Sequence, residues 1–413
     1  MDVDIVGTGF DAGRLQRIAA HLDQQYVSKG KIAGAQVAVG RHGKVAYHAS
    51  LGMRDRERNV PIGDDTIFRI YSMTKPLTSI ALMQLFERGM FQLDDPVSRF
   101  YPSWKRHQVW VSGTSTDTAD AMVTEPAHRG ITFRDLLSHT SGLTYGGLLL
   151  GMEVHPIDRV YQANRIRSVG VPTSMDEFME KLSSVPLRFQ PGTAYQYSLA
   201  TDACGALVEK ISGQPFAEYL QEHILDPLGM VDTSFQVPAD KAHRFAANYQ
   251  RNPDKTTTLM DDPTTSIYLR EPAFVSGGGG LAGTVADYTR FCEMLRRGGE
   301  LDGHRIIGPR TLDLMRKNHL PGGKDLAALD VELLTLYGNV GVGFGLGFAS
   351  TIDQVATGAL TAHDFYWGGA ASTVFWVDPV EDLWVVFATQ LMPSASFDFR
   401  GQLRSLVYAA IND

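Results

Sequence analysis

The sequence predicts an α+β fold. An antiparallel sheet is built from strands at both ends of the chain and flanked by helices, and a mostly helical region is inserted between them. Three observations carry this prediction. Strand-like segments occur in residues 34–52 and return only after residue 363. The stretch between them shows helical periodicity broken by polar or glycine-rich loops. The length of 413 residues is enough for two or three domains' worth of core. Early strands pair with late strands only if one sheet draws on both termini. The expected division is therefore discontinuous: residues 1–71 with 275–413 carry the sheet, residues 72–274 are mostly helical, and the active cleft lies between them.

The elements follow in order. Residues 11–29 place Leu15, Ile18, Leu22 and Tyr26 at helical spacing, and Gly30 marks the stop. GAQVAVG and KVAYHASLG flank His42-Gly43, which reads as a β-hairpin. Residues 72–89 form a helix with Leu77, Ile80, Leu82, Met83, Leu85 and Phe86 spread over most faces, the mark of a buried helix. FRDLLSH, TSMDEFMEKLSS and the segment from Ser198 through LATDACGALVEKISG are helical. Residues 285–297 form another helix, with Thr284 and Asp287 spaced as a capping box. ASTVFWVD and DLWVVFATQ are β-branched and aromatic, hence strands, and SFDFRGQLRSLVYAAI closes the chain as a helix.

Composition excludes several classes of function. Lys plus Arg is 38 against 46 Asp plus Glu, a net charge of −8, which argues against nucleic-acid and anionic-membrane partners. Apolar residues at 44% and charged residues at 20% describe a globular chain. Cys204 and Cys292 make neither a disulfide framework nor a zinc cluster, and the twelve histidines show no metal-binding spacing, so no cofactor or metal is expected. No basic residue precedes the short apolar patch at the N-terminus, and no apolar run approaches the ~20 residues of a membrane helix. A cytoplasmic location is expected, a periplasmic one remaining open for a trimmed N-terminus. Oligomeric state is left open.

Short motifs need weighing. Gly7-Thr8-Gly9-Phe10-Asp11-Ala12 matches the dinucleotide glycine pattern, but a hairpin follows its helix where a parallel strand is required. Gly277 to Gly280 are not a phosphate loop, because no G-K-[ST] follows; they read as positions of positive φ before the next helix. Ser72-Met73-Thr74-Lys75 is an S-x-x-K. At a helix start, residues i and i+3 share a face, so the Lys75 amine lies beside the Ser72 hydroxyl. Ser28-Lys31 fits the same pattern in a solvated loop after a helix and is set aside.

The ordered set Ser72-x-x-Lys75, LLSHTSGL (136–143), PGTAYQYS (191–198), VSGGGGL (275–281) and WGGA (367–370) resembles the serine β-lactamase and penicillin-binding-protein superfamily. Within it the chain is most similar to the class C β-lactamase-like family VIII carboxylesterases. The resemblance implies Ser72 as nucleophile, with Lys75 and Tyr197 as a coupled general base and acid. Which of the two is the base stays open. It implies an oxyanion hole from the backbone N–H groups of Ser72 and Ala370. Trp367-Gly368-Gly369 stands where class C β-lactamases have Lys-Thr-Gly, and Leu199 stands where they have the Asn of Tyr-x-Asn. Both departures favour a neutral, apolar small-molecule ester. Trp367, Gly368, Gly369, Leu199, Tyr145 and Leu149 are the expected substrate contacts, Leu149 as part of an apolar loop that shapes the pocket. His139 in LLSHTSGL is expected to be structural. A β-lactamase or D-Ala-D-Ala peptidase, an acyltransferase to an alcohol and a non-catalytic penicillin sensor are the rival readings.

Overall fold

The computed structural model describes residues 1–113, 122–147, 155–167, 173–329 and 340–413. Its main sheet has eight antiparallel strands. Their order is Val342–Phe344, Ala349–Thr351, Phe365–Gly368, Val374–Asp378, Leu383–Thr389, Gly34–Arg41, Lys44–Asp55 and Val60–Pro61. The two termini meet in the middle of it, where Val37 pairs with Phe387 and Val39 with Val385. The sheet is thus drawn from both ends of the chain. The Gly34–Arg41 and Leu383–Thr389 strands are buried along their whole length. This happens because helices cover both faces.

Side-chain alternation shows which helix takes which face. Phe375 stands opposite Val386, and Phe387 opposite Val374, so Phe375 and Phe387 point to opposite sides. Tyr288 of the helix Val285–Arg296 stacks against Phe375 at 5.1 Å, and Phe399 of the helix Phe399–Tyr408 packs against Phe387 at 5.0 Å. The N-terminal helix Ala12–Leu22, capped by Asp11, continues as a wide turn through Val27.

The helix Thr74–Glu87 is buried from Thr74 through Leu85. Pro76 sits in its first turn, where no intrahelical N–H is lost. It packs on the helix Ala200–Ser212. The Val285–Arg296 helix is capped at Thr284, whose hydroxyl accepts from Asp287 N–H; the Asp287 carboxylate itself accepts from Asp232 N–H and the Thr233 hydroxyl.

The structure departs from the sequence reading at three places. The inserted region is not purely helical: Gln108–Ser112 pairs with Val123–Pro126, and Asn248–Arg251 with Thr257–Asp261. These strands are four or five residues long, and none carries a sustained apolar–polar alternation that identifies a strand. The last two strands at one end of the sheet, Val342–Phe344 and Ala349–Thr351, are three residues each and equally hard to read. Leu149 and its apolar neighbours lie outside the described residues. No helix among the described residues is long and apolar enough to cross a membrane.

Candidate active site

The strand Ile67–Arg69 runs antiparallel to Ala282–Thr284 and delivers the chain to a tight turn, Tyr71–Met73, before the buried helix begins. Tyr71 is in the left-handed region at φ 40°, a conformation that an L side chain holds only when its surroundings enforce it. Ser72 is half-buried at the mouth of the helix, and Lys75 is 1% exposed one turn along.

Lys75 Nζ has three polar neighbours. It lies 3.2 Å from Ser72 Oγ, 2.7 Å from the Tyr145 hydroxyl and 2.6 Å from the Gly278 carbonyl oxygen. The Tyr197 ring lies beneath it, 4.5 Å from Nζ to the centroid. The Tyr197 hydroxyl accepts from Trp367 Nε1 at 3.3 Å. Hence the hydroxyl that meets Lys75 is Tyr145's, and Tyr197 meets it with its ring. The two tyrosine rings are 5.2 Å apart. Burial, with Tyr197 and Asp202 nearby, pushes the Tyr145 phenol well above its usual range, so it stays protonated.

His139 is buried at φ 56° and its ring is 4.9 Å from that of Tyr197. Its Nδ1 faces Ser198 Oγ at 3.2 Å and its Nε2 faces Thr201 Oγ1 at 3.4 Å. Its carbonyl accepts from Gln196 N–H. Both ring nitrogens are thereby committed to the tyrosine-bearing segment. Burial first, then the Lys75 ammonium, keeps the imidazole neutral.

The opposite wall is the end of the strand Phe365–Gly368 and the turn after it. Gly369 touches the chain just before Ser72: a Cβ there would lie 2.4 Å from the Ile70 carbonyl oxygen and 2.3 Å from Thr373 Oγ1. Only glycine allows this approach; Ala370, the next residue, is half-buried. Trp367 is largely buried, with its ring 5.2 Å from Phe344.

Leu199 is 1% exposed, with its backbone N–H bonded to the Thr144 carbonyl. Its side chain belongs to the core, and little of it is left to meet a substrate. Gly277 to Gly280 also differ from expectation, because none of them has positive φ. Gly277, Gly278 and Gly280 are closely approached instead. A Cβ on Gly278 would lie 2.4 Å from Asp202 Oδ2, and one on Gly277 would lie 2.9 Å from the Thr201 carbonyl oxygen.

Behind this segment lies a group that the motifs did not single out. Asp202 is fully buried in the first turn of the helix Ala200–Ser212. Its Oδ1 accepts from Ser276 Oγ at 2.5 Å and from Gly278 N–H at 3.0 Å. Burial pushes its carboxyl upward, and the Lys75 ammonium and these two donors pull it back. The readable signal was a carboxylate inside the apolar run ATDACGALV, a combination that burial tolerates only with partners. No group of three or more metal-ligating side chains stands together among the described residues.

A family model described as Beta-lactamase matches residues 16–409. Protein Rv1367c of Mycobacterium tuberculosis is 35% identical over 374 residues, 89% of this chain and 88% of that protein. Esterase EstB of Burkholderia gladioli is 31% identical over 414 residues, 95% of each. Among solved structures, EstCE1, a hydrolase with promiscuous acyltransferase activity, aligns with a TM-score of 0.78 and 27% identity, over 96% of this chain and 99% of that one.

Proposed function

The chain belongs to the Beta-lactamase family, in the serine β-lactamase and penicillin-binding-protein superfamily with esterase relatives, and from that premise we propose that it is a serine carboxylesterase cleaving neutral esters of small or medium acyl chains. The observation that carries this reading is the set of three contacts around Lys75 Nζ. A neutral amine has two N–H donors and one lone pair. Those donors go to the Gly278 carbonyl and the Tyr145 hydroxyl, and the lone pair faces the Ser72 hydroxyl. An ammonium has three donors, and the same three neighbours accept them. A proton therefore passes from Oγ to Nζ without rearrangement of the cage.

In the proposed reaction, Ser72 Oγ forms a bond to the ester carbonyl carbon as its proton moves to Lys75 Nζ. The backbone N–H groups of Ser72 and Ala370 receive the oxyanion. Loss of one such donor typically costs about 100- to 1000-fold in rate. The tetrahedral intermediate collapses and the alkoxide leaves with a proton from Lys75, passed through the Tyr145 hydroxyl that Nζ bonds to the neighbouring Tyr197 hydroxyl. Water then attacks the acyl-enzyme by the same route in reverse and regenerates Ser72. Trp367 and Leu199 stand where a β-lactamase would hold the carboxylate and side-chain amide of its substrate, which disfavours β-lactams.

The test compares p-nitrophenyl butyrate with a chromogenic cephalosporin on wild type and Ser72→Ala. Faster cephalosporin turnover, or ester turnover that survives in Ser72→Ala, overturns the assignment. An acyltransferase reading is the second one, favoured by the printed activity of EstCE1. Products analysed with an added alcohol would separate the two: an acyl-alcohol product that outpaces hydrolysis makes transfer the principal reaction.

A further inference from the structure

Resting on the reading of Ser72 and Lys75 as nucleophile and base, we propose that Asp202 is the positioning residue of Lys75: it holds the N–H of Gly278, the residue whose carbonyl Lys75 bonds to, and its buried charge balances the ammonium formed when Ser72 is deprotonated. The connection is continuous. Lys75 Nζ donates to the Gly278 carbonyl oxygen at 2.6 Å. The N–H of the same residue donates to Asp202 Oδ1 at 3.0 Å, and Ser276 Oγ holds that oxygen from the other side at 2.5 Å. The carboxylate thus fixes the orientation of the residue whose carbonyl is one of three partners of the base. Glycine at 278 is part of the same arrangement, since a Cβ there would collide with Asp202 Oδ2.

The charge argument is separate from the clamp. Asp202 is fully buried, and its Oδ2 has no hydrogen-bond partner among the described residues. A buried carboxylate with a free oxygen is stabilised by a nearby cation, and it stabilises that cation in turn. The other titratable groups facing Lys75 are Tyr145 and Tyr197, from the loop after LLSHTSGL and from the PGTAYQYS segment, and His139. Tyr145 and His139 are both held neutral by burial. Asp202 is the carboxyl of the group, raised by burial and drawn back by the Lys75 ammonium. Its part resembles that of the carboxylate in a Ser-His-Asp triad, which orients the base and stabilises its protonated form without touching the substrate.

The experiment follows labelling of Ser72 by an alkyl fluorophosphonate across pH, read as intact mass, together with ester turnover. Asp202→Asn keeps the shape and the acceptor oxygen and removes the charge. The expected result is a maximal labelling rate lower by about 10-fold and a rate–pH midpoint lower by about one unit, because loss of the anion favours the free amine. KM for the ester should stay within about twofold, since the substrate is not touched. Ser276→Ala keeps the charge and loosens the clamp. Its expected result is a rate lower by about threefold with the midpoint unmoved, and it decides the clamp if Asp202→Asn does not fold. A wild-type midpoint and rate in folded Asp202→Asn, or a variant changed only in melting temperature, overturns the proposal. Labelling needs no turnover, so a wild type that labels at Ser72 without hydrolysing esters refutes the esterase reading and leaves the Asp202 test valid.

Discussion

The two walls of the cleft are built from different materials. The helical wall presents side chains: Lys75, Tyr145 and Tyr197 at the surface of the site, with His139 and Asp202 behind them. The sheet wall presents mostly backbone: Gly368, Gly369 and Ala370, with the Trp367 indole bonding across to the Tyr197 hydroxyl. The difference teaches how the labour divides. Moving a proton needs groups whose charge state the surroundings can tune, and burial among helices does that. In the proposed reaction the oxyanion needs peptide N–H groups that do not move, and each wall would lend one: Ser72 from the helix mouth and Ala370 from the strand end.

The largest expected effects test the helical wall. Ser72→Ala and Lys75→Ala should each lower kcat/KM for p-nitrophenyl butyrate by at least about 1000-fold. The double variant should be little worse than the poorer single one, because the two act as a unit. Retention of activity within tenfold in Lys75→Ala would move the base elsewhere and break the division.

Gly369→Ala tests the sheet wall. Its Cβ would strike the Ile70 carbonyl and Thr373 Oγ1, so the walls must part. A loss of about 1–3 kcal/mol in stability is expected from such overpacking. Turnover by the folded protein should fall by about 10- to 100-fold, since one oxyanion donor moves out of line. Chemical unfolding and steady-state kinetics measured side by side would show both.

The bond that joins the walls should matter less. Trp367→Phe removes the donor to the Tyr197 hydroxyl. A single hydrogen bond is worth about 0.5–1.5 kcal/mol, so kcat should drop by no more than about tenfold. A cycle with Tyr197→Phe should show coupling of about 1 kcal/mol. Additive effects would mean that indole and phenol work independently.

The smallest effect concerns stability alone. His107 is buried, and burial pushes its pKa down to about 4, against 6.5 for an ordinary histidine. The unfolded chain takes up that proton first. The contribution is therefore whole above pH 6.5 and is lost as pH falls toward 4, with about 2 kcal/mol gone by pH 5. Melting temperatures of His107→Gln should change less between pH 7 and 5 than those of wild type. The pH profile of turnover should ignore the substitution, because His107 belongs to neither wall.

Much of the fold was legible because its signals are local. The hairpin around His42-Gly43 and the strands at 374–378 and 383–389 carry alternation or β-branched runs, and they form where they were expected. The helices at 133–137, 175–183, 200–212 and 285–296 follow apolar periodicity and cap residues. The short strand pairs of 108–112 with 123–126 and of 248–251 with 257–261 were not legible, since tertiary pairing and not pattern makes them strands. In the site, Tyr145 was read as a substrate contact, and the structure turns its hydroxyl toward the base. Leu199 was read likewise and is packed away. The glycines at 277–280 were read as positions of positive φ; none has it, and Gly277 and Gly278 are spacers against Thr201 and Asp202.

What the sequence alone determined is the pairing of Ser72 with Lys75. A spacing of three residues at a helix start puts the two side chains on one face whatever surrounds them, and their atoms lie 3.2 Å apart. The family resemblance and the sheet drawn from both termini were likewise readable from the order of the motifs. Only the tertiary structure decided which tyrosine hydroxyl meets Nζ, which carbonyl receives its third bond and which carboxylate stands behind that carbonyl. Tyr145, Gly278 and Asp202 are 70, 203 and 127 residues from Lys75 in the chain. No local periodicity relates positions so far apart. Their meeting depends on how closely two helices and a glycine segment pack, and that is set by the side chains each segment lacks as much as by those it carries.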